Sequence, residues 1–125
     1  MKRENKFRAL TKSEVWAYGM PCKSNYGIEM VTELYHVDGA EWNEYGEDVR
    51  PETVGQFTGL HDKNGKEIYE GDILQSHYGD GPIGEVMWND EYACFDYRDE
   101  NLGCYAKDML QIIGNIYENP KLIKQ

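Results

Sequence analysis

The sequence contains few of the residues, and none of the patterns, on which common enzyme classes depend. Its 125 residues include only three histidines, three cysteines and three serines. No serine stands in a nucleophile-elbow context, and no glycine-rich loop of the Walker or Rossmann type is present. We therefore expect no catalytic residue, no cofactor and no metal ion.

The cysteines are too few and too widely spaced for a disulfide framework or a zinc site. Cys22, Cys94 and Cys104 are an odd number without C-x-x-C spacing. The basic start of the chain is followed by no apolar stretch of the kind found in secretory signals. These features predict reduced thiols in the cytoplasm, with Cys94 and Cys104 as small buried apolar residues.

Long apolar runs and a positive overall charge are also missing. No run approaches the roughly 18 apolar residues of a membrane-spanning helix, so we expect no membrane contact. Residues 1–12 hold five basic side chains and one acidic, whereas residues 13–120 hold 22 acidic and six basic. Such an acidic body repels phosphate backbones, so we expect no nucleic-acid binding through that surface. The basic start is interpreted as an edge strand protected by its lysines.

Aromatic residues and glycine are plentiful, and they predict a mainly β protein. The chain has 3 Trp, 10 Tyr, 3 Phe and 13 Gly, and alternation of period two dominates wherever a pattern can be counted. We expect a small, strongly bent antiparallel sheet or barrel with short helical turns, and α+β is the alternative. Strands are predicted at residues 7–10, 15–18, 30–37, 54–58, 67–69, 72–77, 83–88, 92–97 and 111–117.

The first half of the chain is less regular than the second. Pro21 is expected to break the second strand, residues 22–29 are expected to form a loop, and Gly39 is expected to end the strand 30–37. Residues 41–52 are interpreted as an exposed loop or short hairpin. We predict one domain over residues 1–125, with a variable front half (about 1–53) and a tightly specified back half (about 54–125).

Turn residues punctuate the back half. Asn64-Gly65 predicts a type I′ hairpin turn, because these two residue types best tolerate the positive φ that the turn requires. The spacing after Asp62 does not fit a calcium loop, so the hairpin interpretation is preferred. Asn119 is predicted to cap a helical turn that begins at Pro120. Asn115 is expected to point outward or to lie at a bulge, and residues 105–110 are expected to form a helical turn.

The remaining polar residues are interpreted as structural. His36, His61 and His77 lack ligand spacing and are expected to be solvated or hydrogen-bonded. The carboxyl groups near two turns are predicted to be solvated surface charges, although Asp72 could also accept backbone N–H bonds in its own turn. These groups are Glu70, Asp72, Asp96, Asp99 and Glu100.

The aromatic residues of the hairpin 83–97 allow two interpretations. Trp88, Tyr92 and Tyr97 could form a surface that binds a peptide or a base. Alternatively, they fill the core or an oligomer interface. Alternation nominates as core residues Val86, Trp88, Ala93, Phe95 and Tyr97.

Four segments resemble the YopX family of phage and prophage proteins. They are KFRA (residues 6–9), FTGL (57–60), DKNGKEIYEGDI (62–73) and IGNIYENP (113–120). The resemblance implies a phage-derived accessory protein in a bacterial cytoplasm, and it implies no reaction.

We expect a non-enzymatic protein-interaction module that self-associates and binds a host or phage protein. The alternatives are a nucleotide- or small-ligand-binding domain and an acidic inhibitor that imitates DNA.

Overall fold

The computed structural model describes residues 6–24, 27–31, 35–37, 40–42, 46–76, 81–105 and 107–123. The chain divides into two compact units, residues 1–56 and 57–125. Of the sequence predictions, those on Gly39 and His77 lie outside the described residues.

The mainly β prediction is confirmed. Across the described ranges the strands pair antiparallel, they close no barrel, and the helical elements are short 3₁₀ turns. The strands are β1 (Phe7–Leu10), β2 (Trp16–Ser24), β3 (Gly27–Val31), β4 (Tyr35–Val37), β5 (Ala40–Trp42), β6 (Gly46–Asp48), β7 (Gly55–His61), β8 (Glu67–Tyr69), β9 (Asp72–Gln75), β10 (Ile83–Asn89), β11 (Cys94–Tyr97), β12 (Glu100–Asn101) and β13 (Gln111–Asn115). The 3₁₀ turns are Pro51–Thr53, Leu102–Cys104, Lys107–Met109 and Pro120–Leu122.

In the first unit, strand β1 is central and does not form an edge. It pairs with β2 on one side and with the start of β7 on the other. The guanidinium carbon of Arg8 lies 4.2 Å from the centre of the Trp16 ring, a cation–π contact. The edge-strand interpretation of the basic start is therefore wrong, because β1 lies between two partners and buries Arg8.

Pro21 does not end β2, contrary to the sequence prediction. β1 pairs with β2 only up to Gly19, whereas Pro21 pairs with Met30 of β3. Within the described residues Pro21 therefore has a strand partner on one side only, a position where its missing N–H is tolerated. The loop predicted for 22–29 is likewise replaced by the end of β2 and the start of β3.

The second unit contains the five-stranded sheet β12-β11-β10-β9-β13 and the hairpin β7–β8. The six strands predicted for the back half are all present, with small differences at their ends. The predicted hairpin over residues 83–97 is β10–β11. The core of this unit consists of Ile68, Leu74, Val86, Phe95, Tyr97, Leu102 and Leu110.

The hairpin turn after β7 depends on Asp62 more than on Asn64. Asn64 keeps a negative φ, and only Gly65 adopts a positive one (81°), so the turn is not the predicted type I′. The Asp62 carboxylate accepts the backbone N–H groups of Asn64 and Lys66, both at 2.9 Å. Its second oxygen accepts the N–H of Ile112 at 3.1 Å, which ties the turn to β13.

The end of β13 is fixed by two asparagines. The prediction for Asn115 was wrong, because this residue is buried and lies beyond the bulge between Ile112 and Gly114. Its side-chain oxygen accepts the N–H groups of Tyr117 and Glu118. Contrary to the prediction, Asn119 makes no capping bond to the 3₁₀ turn that follows it. Instead its side chain reaches back and accepts the N–H of Asn115. A short polar side chain can accept a backbone N–H from either neighbouring segment, and the Asn119 side chain accepts one from the end of β13 instead of the 3₁₀ turn.

Candidate functional site

A groove lies along the β10–β11 hairpin of the second unit. Its volume is about 490 Å³. This β10–β11 groove is lined by apolar and charged side chains, which include Met87, Trp88, Ile123, Glu85, Asp90, Asp96, Arg98 and Asp99.

Two apolar side chains of β10 reach the surface, Met87 from the outward face and Trp88 from the face that also carries Val86. Val86 is fully buried opposite Tyr97, whereas Met87 is 55% exposed and stands opposite Asp96. Trp88 remains 40% exposed even though its ring packs edge-on against Phe95, with 4.9 Å between ring centres. The groove therefore presents large apolar groups to solvent.

The only cation in the defined groove is held in place by backbone geometry. Arg98 and Asp99 both have positive φ (53° and 64°) in the two-residue turn between β11 and β12. A guanidinium nitrogen of Arg98 donates to the Ile83 carbonyl at 3.1 Å. Gly84 makes this possible, since a Cβ there would lie 2.5 Å from Cγ of Arg98.

A small hydrogen-bonded cluster shapes the other end of the hairpin. Asn89 donates to Asp96 at 2.7 Å and accepts the N–H groups of Glu91 and Tyr92. The Cys94 thiol donates to Asp96 at 3.4 Å. Burial and the neighbouring Asp96 raise the pKa of Cys94, so this thiol is poorly suited to act as a nucleophile.

The groove carries an excess of negative charge. Among the described lining residues, four carboxyl groups stand against the one guanidinium of Arg98. Partial burial, and to a lesser extent the charge of Glu70, raise the pKa of Glu85. A raised carboxyl pKa means that the local environment disfavours further negative charge.

The structure separates the three aromatic residues proposed from the sequence. Trp88 lines the groove, and Tyr92 is 72% exposed in the β10–β11 turn. Tyr97 is fully buried, so its assignment to an aromatic surface is wrong. Its position opposite Val86 turns it into the core, where its hydroxyl donates to the Pro82 carbonyl and its ring meets Tyr105 edge-on.

Other predictions about polar residues need correction. Asp72 is buried, not solvated, and accepts the N–H of Tyr69 at 2.8 Å, which confirms its proposed role in its own turn. Asp99 and Glu100 are exposed, as expected. Cys104 is exposed and Cys94 half-buried, so neither is a buried apolar residue. Cys104 ends the 3₁₀ turn Leu102–Cys104 and Cys94 begins β11, and neither thiol belongs to the core of the unit.

Of the three histidines, His61 is the one whose side chain the structure describes. His61 is exposed and packs edge-on against Phe57, with 5.5 Å between ring centres. His36 lies in β4, opposite Glu41. No group of three or more His, Cys, Asp or Glu side chains that could hold a metal ion occurs among the described residues.

Sequence reasoning missed Met87, Ile123 and Arg98 as groove residues. Alternation around the nominated core residue Val86 was sufficient to place Met87 outward. The contributions of Ile123 and Arg98 depend on where the chain returns after β11 and β13, and no local sequence pattern predicts that return.

The comparisons with known proteins agree with the motifs. The family model described as YopX protein matches residues 6–124. The chain belongs to the YopX family. The crystal structure of protein EF1440 from Enterococcus faecalis is 30% identical in sequence and has a TM-score of 0.69. The match covers 98% of this chain and 100% of that one.

Two further comparisons are negative. No curated protein matches this YopX chain. Within the described residues, no helix has the length and apolar character needed to cross a membrane.

Proposed function

We propose that this YopX protein is a phage-derived accessory protein that acts in the bacterial cytoplasm as a non-enzymatic protein-interaction module. We further propose that it binds its partner, a host or phage protein, through the β10–β11 groove. The resemblance of its motifs to phage and prophage proteins supports the origin. The geometry of the groove supports the mode of action.

One observation carries the proposal: large apolar side chains lie exposed along a groove whose backbone is firmly held. Met87 is 55% exposed and Trp88 40% exposed. Tryptophan and methionine are enriched at protein interfaces, and exposed apolar groups gathered at a concave surface mark binding sites. A rigid hairpin beneath them lowers the ordering cost of association.

The test compares two exposed apolar residues in different units. Met87→Glu is expected to abolish capture of a bacterial partner by the purified protein, because it places a charge in the apolar contact. Val15→Glu, at a residue that is 61% exposed just before β2, is expected to leave that capture unchanged. Quantitative mass spectrometry of the captured proteins provides the readout. Equal capture by wild type and Met87→Glu contradicts the groove assignment, and no reproducible capture at low salt contradicts the interaction module itself.

Self-association belongs to the same proposal and has a separate candidate surface. Tyr18 and Met20 are both exposed on one face of β2, while Ala17 on the other face is buried. We expect this face to contact a second copy, since tyrosine and methionine suit homodimer interfaces. Sedimentation velocity over a concentration series is expected to show an oligomer that Met20→Glu weakens and Met87→Glu does not. A monomer at all concentrations contradicts this part of the proposal.

The size of the groove also favours a second candidate, a small-ligand site. A volume of about 490 Å³ lies within the range of roughly 300–1,000 Å³ typical of small-molecule pockets. A thermal-shift screen over nucleotides, amines and metabolite mixtures tests this candidate. A ligand at about 100 times its Kd stabilises the folded protein by about 2.7 kcal/mol, which raises the melting temperature. If no compound raises the melting temperature while a protein partner is captured, the small-ligand candidate is rejected.

A further inference from the structure

The charge of the β10–β11 groove restricts the chemistry of its partner. Its described lining includes the carboxyl groups of Glu85, Asp90, Asp96 and Asp99. The guanidinium of Arg98 is already hydrogen-bonded to the Ile83 carbonyl. An acidic partner would bring like charges together, which costs association free energy, whereas a basic partner is attracted.

The raised pKa of Glu85 supports the same conclusion. Its causes are partial burial and the negative charge of Glu70. A positively charged group beside Glu85 would offset both effects, since it favours the ionised carboxylate. The electrostatic environment of the groove therefore favours the binding of a cation over the binding of an anion.

Exposed aromatic rings offer a second kind of contact to a cation. Trp88 is exposed at the groove, and Tyr92 is exposed in the turn that also holds Asp90. Guanidinium and ammonium groups bind the faces of tryptophan and tyrosine rings, and carboxylates nearby strengthen the attraction. Met87 and Ile123 add apolar surface that a lone cation would leave uncovered.

Resting on the function proposed above, we infer that the groove recognises a basic polypeptide segment of another protein, in which lysine or arginine side chains stand next to apolar ones. The basic side chains contact the carboxylates and the aromatic rings. The apolar side chains cover Met87 and Ile123. The partner is thus defined by alternating positive charge and apolar character, and not by a nucleotide or an acidic motif.

The probe is a short fluorescent peptide in which lysine and leucine alternate, measured by fluorescence anisotropy. Two matched peptides replace all lysines by glutamate or all leucines by serine. We expect the lysine–leucine peptide to bind and both replacements to weaken binding about tenfold or more, since each removes one of the two kinds of contact. Binding of the glutamate peptide as tightly as the lysine peptide overturns the inference.

Protein variants locate the contact. Asp90→Lys is expected to weaken binding about three- to tenfold, because an exposed attraction becomes a repulsion, and the loss should shrink at high salt. Asp48→Lys, at an exposed carboxylate of the first unit, is the matched control and should leave binding within about twofold. Trp88→Ala tests the ring, and circular dichroism shows whether this variant folds. Met87→Ser removes apolar surface without adding a charge, so it is expected to weaken peptide binding and keeps the test decisive if Trp88→Ala does not fold.

The outcomes separate this inference from the proposed function. If a captured natural partner depends on Met87 but is insensitive to Asp90→Lys and to salt, the interaction module stands and the basic-partner inference fails. If Asp90→Lys instead dissociates an oligomer of this chain while the peptide does not bind, the occupant is a second copy and the inference is again wrong.

Discussion

Replacing Asp62 by alanine is expected to destabilise the second unit by about 3 kcal/mol, although Asp62 lies in a hairpin turn. The side chain is only 2% exposed. Its carboxylate accepts three backbone N–H groups: Asn64 and Lys66 at 2.9 Å and Ile112 at 3.1 Å. The first two close the turn, and the third joins it to a strand 50 residues away in the sequence.

The magnitude follows from what happens to each N–H group. A buried donor that loses its acceptor costs about 1–3 kcal/mol, and we assign the lower end of this range to Ile112, which is half-buried within β13. Asn64 and Lys66 are close to solvent, so each lost bond costs about 0.5–1.5 kcal/mol. Asp62→Asn keeps one acceptor oxygen and is expected to lose roughly half as much as Asp62→Ala.

Urea denaturation measures the free energy of unfolding, and hydrogen exchange locates the change. We expect the Ile112 amide to exchange faster in Asp62→Ala than in wild type, together with the amides of Lys66 and Asn64. Asp90→Ala is the control, because this exposed turn carboxylate should change stability by less than about 0.5 kcal/mol. A loss below about 0.5 kcal/mol in Asp62→Ala, with the Ile112 amide still protected, would refute the reasoning.

Three further changes test the same unit. Gly84→Ala places a Cβ 2.5 Å from Cγ of Arg98 and is expected to cost about 1–3 kcal/mol in urea denaturation; an unchanged cost in an Arg98→Ala background would contradict the assigned clash. Tyr97→Phe removes the hydroxyl that donates to the Pro82 carbonyl and is expected to cost about 1 kcal/mol; equal stability would show that this bond adds nothing. The pKa of Glu85 is raised above its ordinary 4.5 by burial and Glu70, so the native state binds more protons and its stability falls as pH rises from about 4.5. Glu85→Gln should therefore be more stable than wild type at neutral pH, with the difference closing below about pH 4, and a pH-independent difference would contradict this cause.

The strands were predictable because their signals are local. Period-two alternation and flanking turn residues placed β8 at Glu67–Tyr69 with both ends correct. The Asp72 turn was also inferred correctly, since its partner Tyr69 is three residues away. Short polar side chains and tight turns act within a few residues, and a single sequence displays such distances directly.

The errors arose where a residue's role depends on pairing with a distant segment. Pro21 is tolerated in β2 because β1 pairs only as far as Gly19. Asp62 serves as a link because its second oxygen meets Ile112 of β13. Neither fact can be derived without the register and topology of the sheets, which local patterns leave open.

The candidate site shows the same division. Alternation predicted correctly that Val86, Phe95 and Tyr97 share the core. The nominations of Trp88 and Ala93 were wrong, because both are exposed and Ala93, with a positive φ of 51°, lies in the turn before β11. The aromatic-surface hypothesis grouped Tyr97 with Trp88 and Tyr92 because all three belong to one hairpin. Alternation puts Trp88 and Tyr97 on the same face of that hairpin, yet Tyr97 is fully buried and Trp88 is 40% exposed. This difference depends on which distant segments of the unit pack over each residue, and local patterns leave that open.

The β10–β11 groove is fixed by the same devices that fix the fold, and this has a consequence for binding. Arg98 and Asp99 hold positive φ values in a two-residue turn, a conformation that costs roughly 1–2 kcal/mol per residue for non-glycine types. The surrounding strands must supply that free energy, so the turn is set before any partner arrives. Because Gly84 leaves room for the Arg98 side chain and the guanidinium donates to the Ile83 carbonyl, contacts within the folded protein position the cation of the groove. A partner then finds carboxylates and apolar side chains already in position and loses little free energy in ordering them.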